Sequence, residues 1–347
     1  MKHADLTHPA AGTSAAPRSA ARLTRSRPGT TADSIAAPHP TGQSGAPHLS
    51  VETLLLAPRQ LDEHLEWLQD TALLDGPQHA SQLAQRWRNA AIVYEALQQS
   101  DPGAADAAVV LDLPAESRRH VQRLIRTAAF RNSHACVPVA FGMVPLDHLV
   151  VSQFSLTQSS VAGLLRAVAR PCGTEQLAAL CLPLQPSSGT CRLVARDEAE
   201  FTFNAPAHDF RFLGPAPLDA AALQRLRLPG HALGGVALAL GHSCNLLEVV
   251  RHGGRLVLNN GHHRAQALRL AGHTHAPCLI QVCASQDDLV QVAQSEIMRN
   301  NDLYFESARP PMLRDFCNPE LTHQAATPQL RREIRISFRV ESRLVAA

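Results

Sequence analysis

Within six residues, Asn259-Asn260-Gly261-His262-His263-Arg264 gathers two amides, two imidazoles and a guanidinium. The apolar run Leu256-Val257-Leu258 precedes them, and Ala265, Ala267 and Leu268 follow at helical spacing. Such a corner suits the binding of anions. Gly261 allows a sharp turn and a close approach of backbone to a ligand. The first N–H groups of the helix that opens after it have no acceptor one turn earlier. The helix dipole adds positive potential at that end, and an arginine in the first turn can grip phosphate or carboxylate through two parallel hydrogen bonds. The candidate ligand-binding residues are therefore Asn260, Gly261, His262, His263 and Arg264. A surface corner whose polar side chains are merely solvated is the competing reading from periodicity alone.

The elements that must hold this corner are legible around it. Residues 256–258 read as a strand and residues 262–271 as a helix closed by Gly272, with a second strand running from Ala276 to Val282. Before the corner, Asn245 to Val250, the turn at His252-Gly253-Gly254 and Arg255 to Leu258 read as a β-hairpin. Further upstream, Val144-Pro145-Leu146-Asp147-His148-Leu149 reads as a strand ending in a turn.

Gly261-His262-His263-Arg264, with Ala265, Ala267, Leu268, Gly272 and Pro277 behind it, resembles the signature of the ParB/sulfiredoxin-like superfamily, whose members carry a G-x-x-R corner between a strand and a helix. The hairpin and the Val144 to Leu149 segment extend the resemblance over residues 142–284. It implies an α+β fold, a ParB/sulfiredoxin-like mixed sheet with flanking helices, and a phosphate-bearing ligand such as a nucleotide at the corner. The enzymatic alternative it implies is phosphoryl transfer or nuclease activity, with magnesium as the metal that such chemistry recruits. The departures narrow this. Sulfiredoxins read G-C-H-R and use the cysteine, whereas this chain has His262 there, which argues against sulfinic-acid reduction. Chromosome-partitioning members read G-E-R-R. ParB-like kinases read D-G-H-H-R, and Asn260 stands where their aspartate would be. Loss of a carboxylate that could help hold a metal favours binding over catalysis, and no catalytic residue is assigned. A third class is a non-catalytic interaction or regulatory protein whose corner has lost its ligand.

Two outlying residues could join the pocket, Asp147 as a carboxylate and His275 as an imidazole. His273, His275 and Cys278 are ligand types for zinc but lack a recognised spacing, so no metal site is assigned. Lys2 is the only lysine, which removes a P-loop lysine and any Schiff-base lysine from consideration. The net charge of +2 gives no indication of a nucleic-acid partner, and a protein partner stays open. Eight cysteines without a C-x-x-C pair, no secretory segment and no run of eighteen apolar residues lead to the expectation of a cytoplasmic protein with no membrane span.

The expected organisation has four parts. Residues 1–48, rich in Ala, Pro, Ser, Thr and Gly, read as a disordered tail. Residues 49–135 read as a helical region, on the strength of Leu61, Leu65 and Leu68 and of Leu83, Trp87 and Ala91. Residues 136–300 form the ParB/sulfiredoxin-like domain, with a long insertion over 183–240. Residues 301–347 form a C-terminal arm, in which Ile334, Ile336, Phe338 and Val340 alternate with polar residues like a strand.

Overall fold

The computed structural model describes residues 49–71, 77–168, 172–185, 189–197, 199–205, 210–226, 230–242, 244–328 and 331–345. The segment expected to be a disordered tail, residues 1–48, lies outside them. The described chain is mixed α+β, with several small sheets.

Its first element departs from the expected helical region. Leu49–Leu55 (β1) is a strand, and the helices begin only with Leu61–Thr71 (α1), Pro77–Ser100 (α2), Ala115–Leu124 (α3) and Ala128–Ser133 (α4). Strand β1 is the middle of a three-stranded antiparallel sheet, flanked by partners far away in sequence. Leu49 faces Pro328 and Leu54 faces Ser155. The run Leu-Ser-Val-Glu-Thr-Leu-Leu has no strong local period, so pairing with distant strands decides its conformation.

The central sheet follows. Its strands are Val139–Pro145 (β2), Val150–Val151 (β3), Glu248–His252 (β9), Arg255–Asn260 (β10) and His275–Val282 (β11), in the spatial order β2-β11-β9-β10-β3. Between β3 and β9 come Ser155–Thr157 (β4), which is β1's second partner, and the helices Gln158–Val168 (α5) and Thr174–Cys181 (α6). They are followed by Arg192–Arg196 (β5), Glu200–Ala205 (β6), Phe210–Pro217 (β7), Ala220–Arg225 (α7) and Val236–His242 (β8). The pair β9-β10 is the expected hairpin. Its turn is made by Gly253 and Gly254, at φ 56° and 89°. Two consecutive residues in the left-handed region match the right-handed twist of the flanking strands, and glycine takes that conformation at little cost.

The sheet is buried on both faces, as its near-continuous apolar strands require. Val249, Val250, Leu256, Val257, Leu258, Leu279 and Ile280 have almost no solvent exposure. Aromatic residues make up only 4% of the chain, and this part of the core is accordingly aliphatic. Helix His262–Leu270 (α8) packs on the sheet against α5. It stops where expected, at a left-handed Gly272 with φ 87°.

Beyond β11, Ser285 caps the helix Gln286–Val292 (α9), accepting from the Asp288 N–H at 3.2 Å while the Asp288 carboxylate accepts from the Ser285 N–H at 3.0 Å. Short helices Ser295–Arg299 (α10) and Asn301–Phe305 (α11) follow. Thr322–Pro328 (β12) returns to β1, and Arg332–Ser337 (β13) pairs with β6. No helix among the described residues is long and apolar enough to cross a membrane.

Candidate functional site

The corner is built by a bulge, a left-handed glycine and a helix start. In β10 the register slips between Leu258, opposite Val249, and Asn260, opposite Glu248, so two residues face one. The slip lets the bulged Asn259 turn its side chain inward. There its amide donates to the Glu248 carboxylate at 2.9 Å and to the Val292 carbonyl at 3.0 Å, and its carbonyl accepts from the Gln294 N–H at 3.0 Å. The other oxygen of Glu248 lies 3.4 Å from His134 Nε2. A buried carboxylate therefore sits against the corner, bonded to Asn259 and paired in register with Asn260, with an imidazole as its other partner.

Gly261 then takes φ 91° and opens α8. A side chain there would be crowded as well as strained, since a Cβ would come within 2.8 Å of Leu247 Cδ1 and 3.2 Å of Leu247 Cα. The glycine thus serves the close packing of the corner against the protein's own segment Cys244–Leu247. Gly261→Ala is expected to cost about 2 kcal/mol, from the left-handed conformation and the clash together. A chemical-denaturation midpoint unchanged from wild type would show that the segment can shift to make room.

The three polar side chains that follow all turn inward. His262 is only 3% exposed, and its Nε2 accepts from the Ser152 N–H at 3.2 Å, with the Ser152 hydroxyl 3.4 Å away and donating to the Leu258 carbonyl. A ring nitrogen that accepts carries no proton, so the hydrogen sits on Nδ1. Burial, helped by the neighbouring His263, pushes the pKa of His262 down to about 3. His263 accepts from the Thr157 N–H through Nε2 at 3.0 Å, and the Thr157 hydroxyl in turn donates to the buried Glu52 carboxylate at 2.7 Å. Burial raises the pKa of Glu52. Each imidazole fastens α8 to a backbone N–H, one on the residue following β3 and one at the end of β4.

Arg264, 7% exposed, is likewise engaged within the fold. One guanidinium nitrogen donates to the Cys181 carbonyl at 3.2 Å and the Asn245 carbonyl at 3.0 Å, and the other donates to Asn245 Oδ1 at 3.1 Å. The Cys181 carbonyl is one of the last of α6, where a helix end favours a cation, and it also accepts from the Leu247 N–H at 2.7 Å. Arg264 therefore joins three elements, α6, α8 and the segment before β9. Asn260 is half-buried at the end of β10.

Asp147 and His275 belong to the other end of α8. Asp147 lies in the 3-10 turn Leu146–His148, and its carboxylate accepts from Arg269 Nε at 2.5 Å. Arg269 follows His262 by seven residues, about 10 Å along the helix axis. His275 begins β11 opposite Pro145, with Nδ1 3.1 Å from the Thr274 hydroxyl. The structure places these two residues at the C-terminal end of α8 and not beside His262 to Arg264. The topology sends the chain back to the C-terminal end of α8 before β11 starts. Cys278 is buried and its thiol donates to the Leu247 carbonyl at 3.3 Å. Among the described residues no group of three His, Cys, Asp or Glu side chains converges as a metal would require.

Sequence reasoning missed Ser152, Thr157, Asn245, Glu52 and the Cys181 carbonyl, the partners that decide what the corner does. They lie 19 to 211 positions from the residues they serve in this network, and no local pattern marks them. Among the grooves of the described surface are two of about 400 and 590 Å3. The first runs beside the β9-β10 turn at Arg251 to Gly254 and Cys283, and the second lies between β7 and β13. Neither includes a residue of the corner. No protein-family model, curated protein or solved structure matches the chain.

Proposed function

We propose that this chain is a non-catalytic binding or regulatory protein built on a ParB/sulfiredoxin-like domain, in which the G-x-x-R corner has passed from ligand binding to holding the fold together. One observation carries this reading: Arg264 is committed to the Cys181 carbonyl and to both oxygens of Asn245. The two histidines are engaged in the same way, as acceptors of backbone N–H groups. The carboxylates beside the corner are engaged in the same network, Glu248 by Asn259 and His134 and Glu52 by the Thr157 hydroxyl. The resemblance to the superfamily rests on the Gly261 to Arg264 signature and on the strand, helix, strand unit that carries it.

A second reading keeps the corner as a phosphate site, with a nucleotide as the ligand. It is favoured by the neutrality of these three acceptors. A phosphate is a stronger partner for a guanidinium than an amide oxygen is, so a ligand could displace Asn245 and use the first N–H groups of α8. A thermal-shift panel of nucleoside mono-, di- and triphosphates, each with and without magnesium, separates the two. The structural reading expects no change in melting temperature at 1 mM ligand, as for a Kd on the order of millimolar or weaker. A rise of several degrees that Arg264→Lys abolishes would establish the phosphate reading in its place.

A further inference from the structure

Charge is unevenly distributed along this chain. Residues 49–330 carry 22 basic and 26 acidic side chains, whereas residues 331–343 carry five arginines against two glutamates. The modest net charge conceals a basic C-terminal arm on an acidic body. The fold sets that arm beside Arg211 of β7. Strand β13 is an edge strand, paired through β6 alone, and along it lies the groove shared with β7. Arg211 and Phe212 line the groove from β7, and Arg331, Arg332, Glu333 and Arg335 line it from the arm. Arg335 is offset by Glu200 at 3.3 Å and Glu333 at 3.5 Å. Arg331 and Arg332 are exposed, and Phe212 presents 45% of its surface to solvent.

We infer that this groove binds single-stranded nucleic acid, with arginines from two strands on successive phosphates and the Phe212 ring as a stacking platform for a base. An open, shallow, arginine-lined channel next to an exposed aromatic ring is the surface on which sequence-tolerant binding of single strands is built. Arginine suits it because its planar group meets phosphate through paired donors and is weakly hydrated. Aromatic and cationic groups also adjoin elsewhere on this sheet: Phe338, just past β13, stacks on Phe201 with ring centroids 6.0 Å apart, and Arg196 lies over Phe201 at 5.8 Å. An acidic peptide would satisfy the arginines but would leave the exposed ring without a stacking partner. The site is remote from the corner in composition and shares none of its residues, so it stands whichever reading of Arg264 holds.

Fluorescence anisotropy with labelled twenty-nucleotide oligo(dT) and oligo(U), on the full chain, tests this. Binding is expected in the micromolar range at 50 mM salt. With three to four phosphate contacts, log affinity should fall against log salt with a slope of about −2 to −3. The double variant Arg331→Gln/Arg332→Gln removes two contacts, so the slope should flatten by about 1.4 and affinity should drop at least tenfold. Phe212→Ala should weaken binding by about 5- to 150-fold while leaving the slope unchanged, since stacking releases no counterions. Arg192→Gln, an exposed position on β5 outside the groove, should change neither. The inference is overturned if no oligonucleotide binds at 50 mM salt, or if the double variant binds as wild type does. Displacement by a poly-glutamate of equal charge at concentrations no higher than the oligonucleotide itself would also overturn it, assigning the groove to acidic peptides.

Discussion

Arg264→Ala is expected to lower the melting temperature by roughly 10 °C, the effect of losing about 3 to 5 kcal/mol in a protein of this size. Arg264 donates three hydrogen bonds, to the Cys181 carbonyl and to both oxygens of Asn245. A hydrogen bond from a charged donor contributes about 1.5 to 3 kcal/mol, while the Cys181 carbonyl keeps its bond from the Leu247 N–H at 2.7 Å and Asn245 is only half-buried. Water entering the space left by the side chain recovers part of this, which keeps the expected loss below the full sum. The loss should be local in origin and cooperative in effect, because the residue ties α6, α8 and the segment before β9 together. Arg264→Lys should recover only part of the stability. A single ammonium on a flexible stem cannot reproduce a fork that reaches three oxygens on two segments. Circular-dichroism melts of the three proteins provide the measurement. An Arg264→Ala protein that melts with wild type would show that the residue is dispensable to the fold, and the structural reading of the corner would fail with it.

Stability should also fall steeply with acid, by about 3 kcal/mol between pH 6.5 and pH 5. Two buried histidines carry this. Burial, aided by His263, lowers His262 to about 3. Burial lowers His64 to about 4, against the raising influence of the Leu56 carbonyl 2.7 Å from its Nε2. Both folded values lie below the ordinary 6.5 of an unfolded histidine, so the unfolded chain takes up protons first as pH falls. Their contribution to stability is complete above pH 6.5 and is withdrawn as pH drops through 6.5 towards 4. Each histidine removes about 1.4 kcal/mol per pH unit in that window, so the pair removes about 2.7. Glu52, whose carboxyl burial pushes up, works the other way, but only where carboxylates begin to take protons. Urea titrations at pH 7.5, 6.5, 5.5 and 5.0 should show the midpoint falling only over the last three. His64→Gln should reduce the dependence by about half, even if it lowers stability at every pH. A midpoint constant across the whole series would mean that neither ring is held neutral by the fold.

Both predictions turn on the difference between what a residue is and what it touches. The corner's local form could be read along the chain. Gly253 and Gly254 set a tight hairpin because the turn needs two left-handed residues, and Gly261 and Gly272 bracket α8 for related reasons. The aliphatic runs of β10 and β11 declare a doubly covered sheet, and Ser285 with Asp288 declares the start of α9. These are near-neighbour effects, decided within a few residues by backbone sterics, capping and hydrophobic period. Strand β1 was not legible in that way, because its middle place in a sheet comes from strands about 100 and 270 positions away. The role of Arg264 was not legible either. As a residue type at the start of a helix it is equally suited to a phosphate and to a set of carbonyls, and only the arrival of Cys181 and Asn245 decides between them. The same holds for His262 and His263, whose acceptor role is imposed by the N–H groups of Ser152 and Thr157. Sequence determined the chemistry available at each position. Tertiary structure decided how it is used, because a polar group taken out of water must bond with whatever the fold brings within about 3 Å.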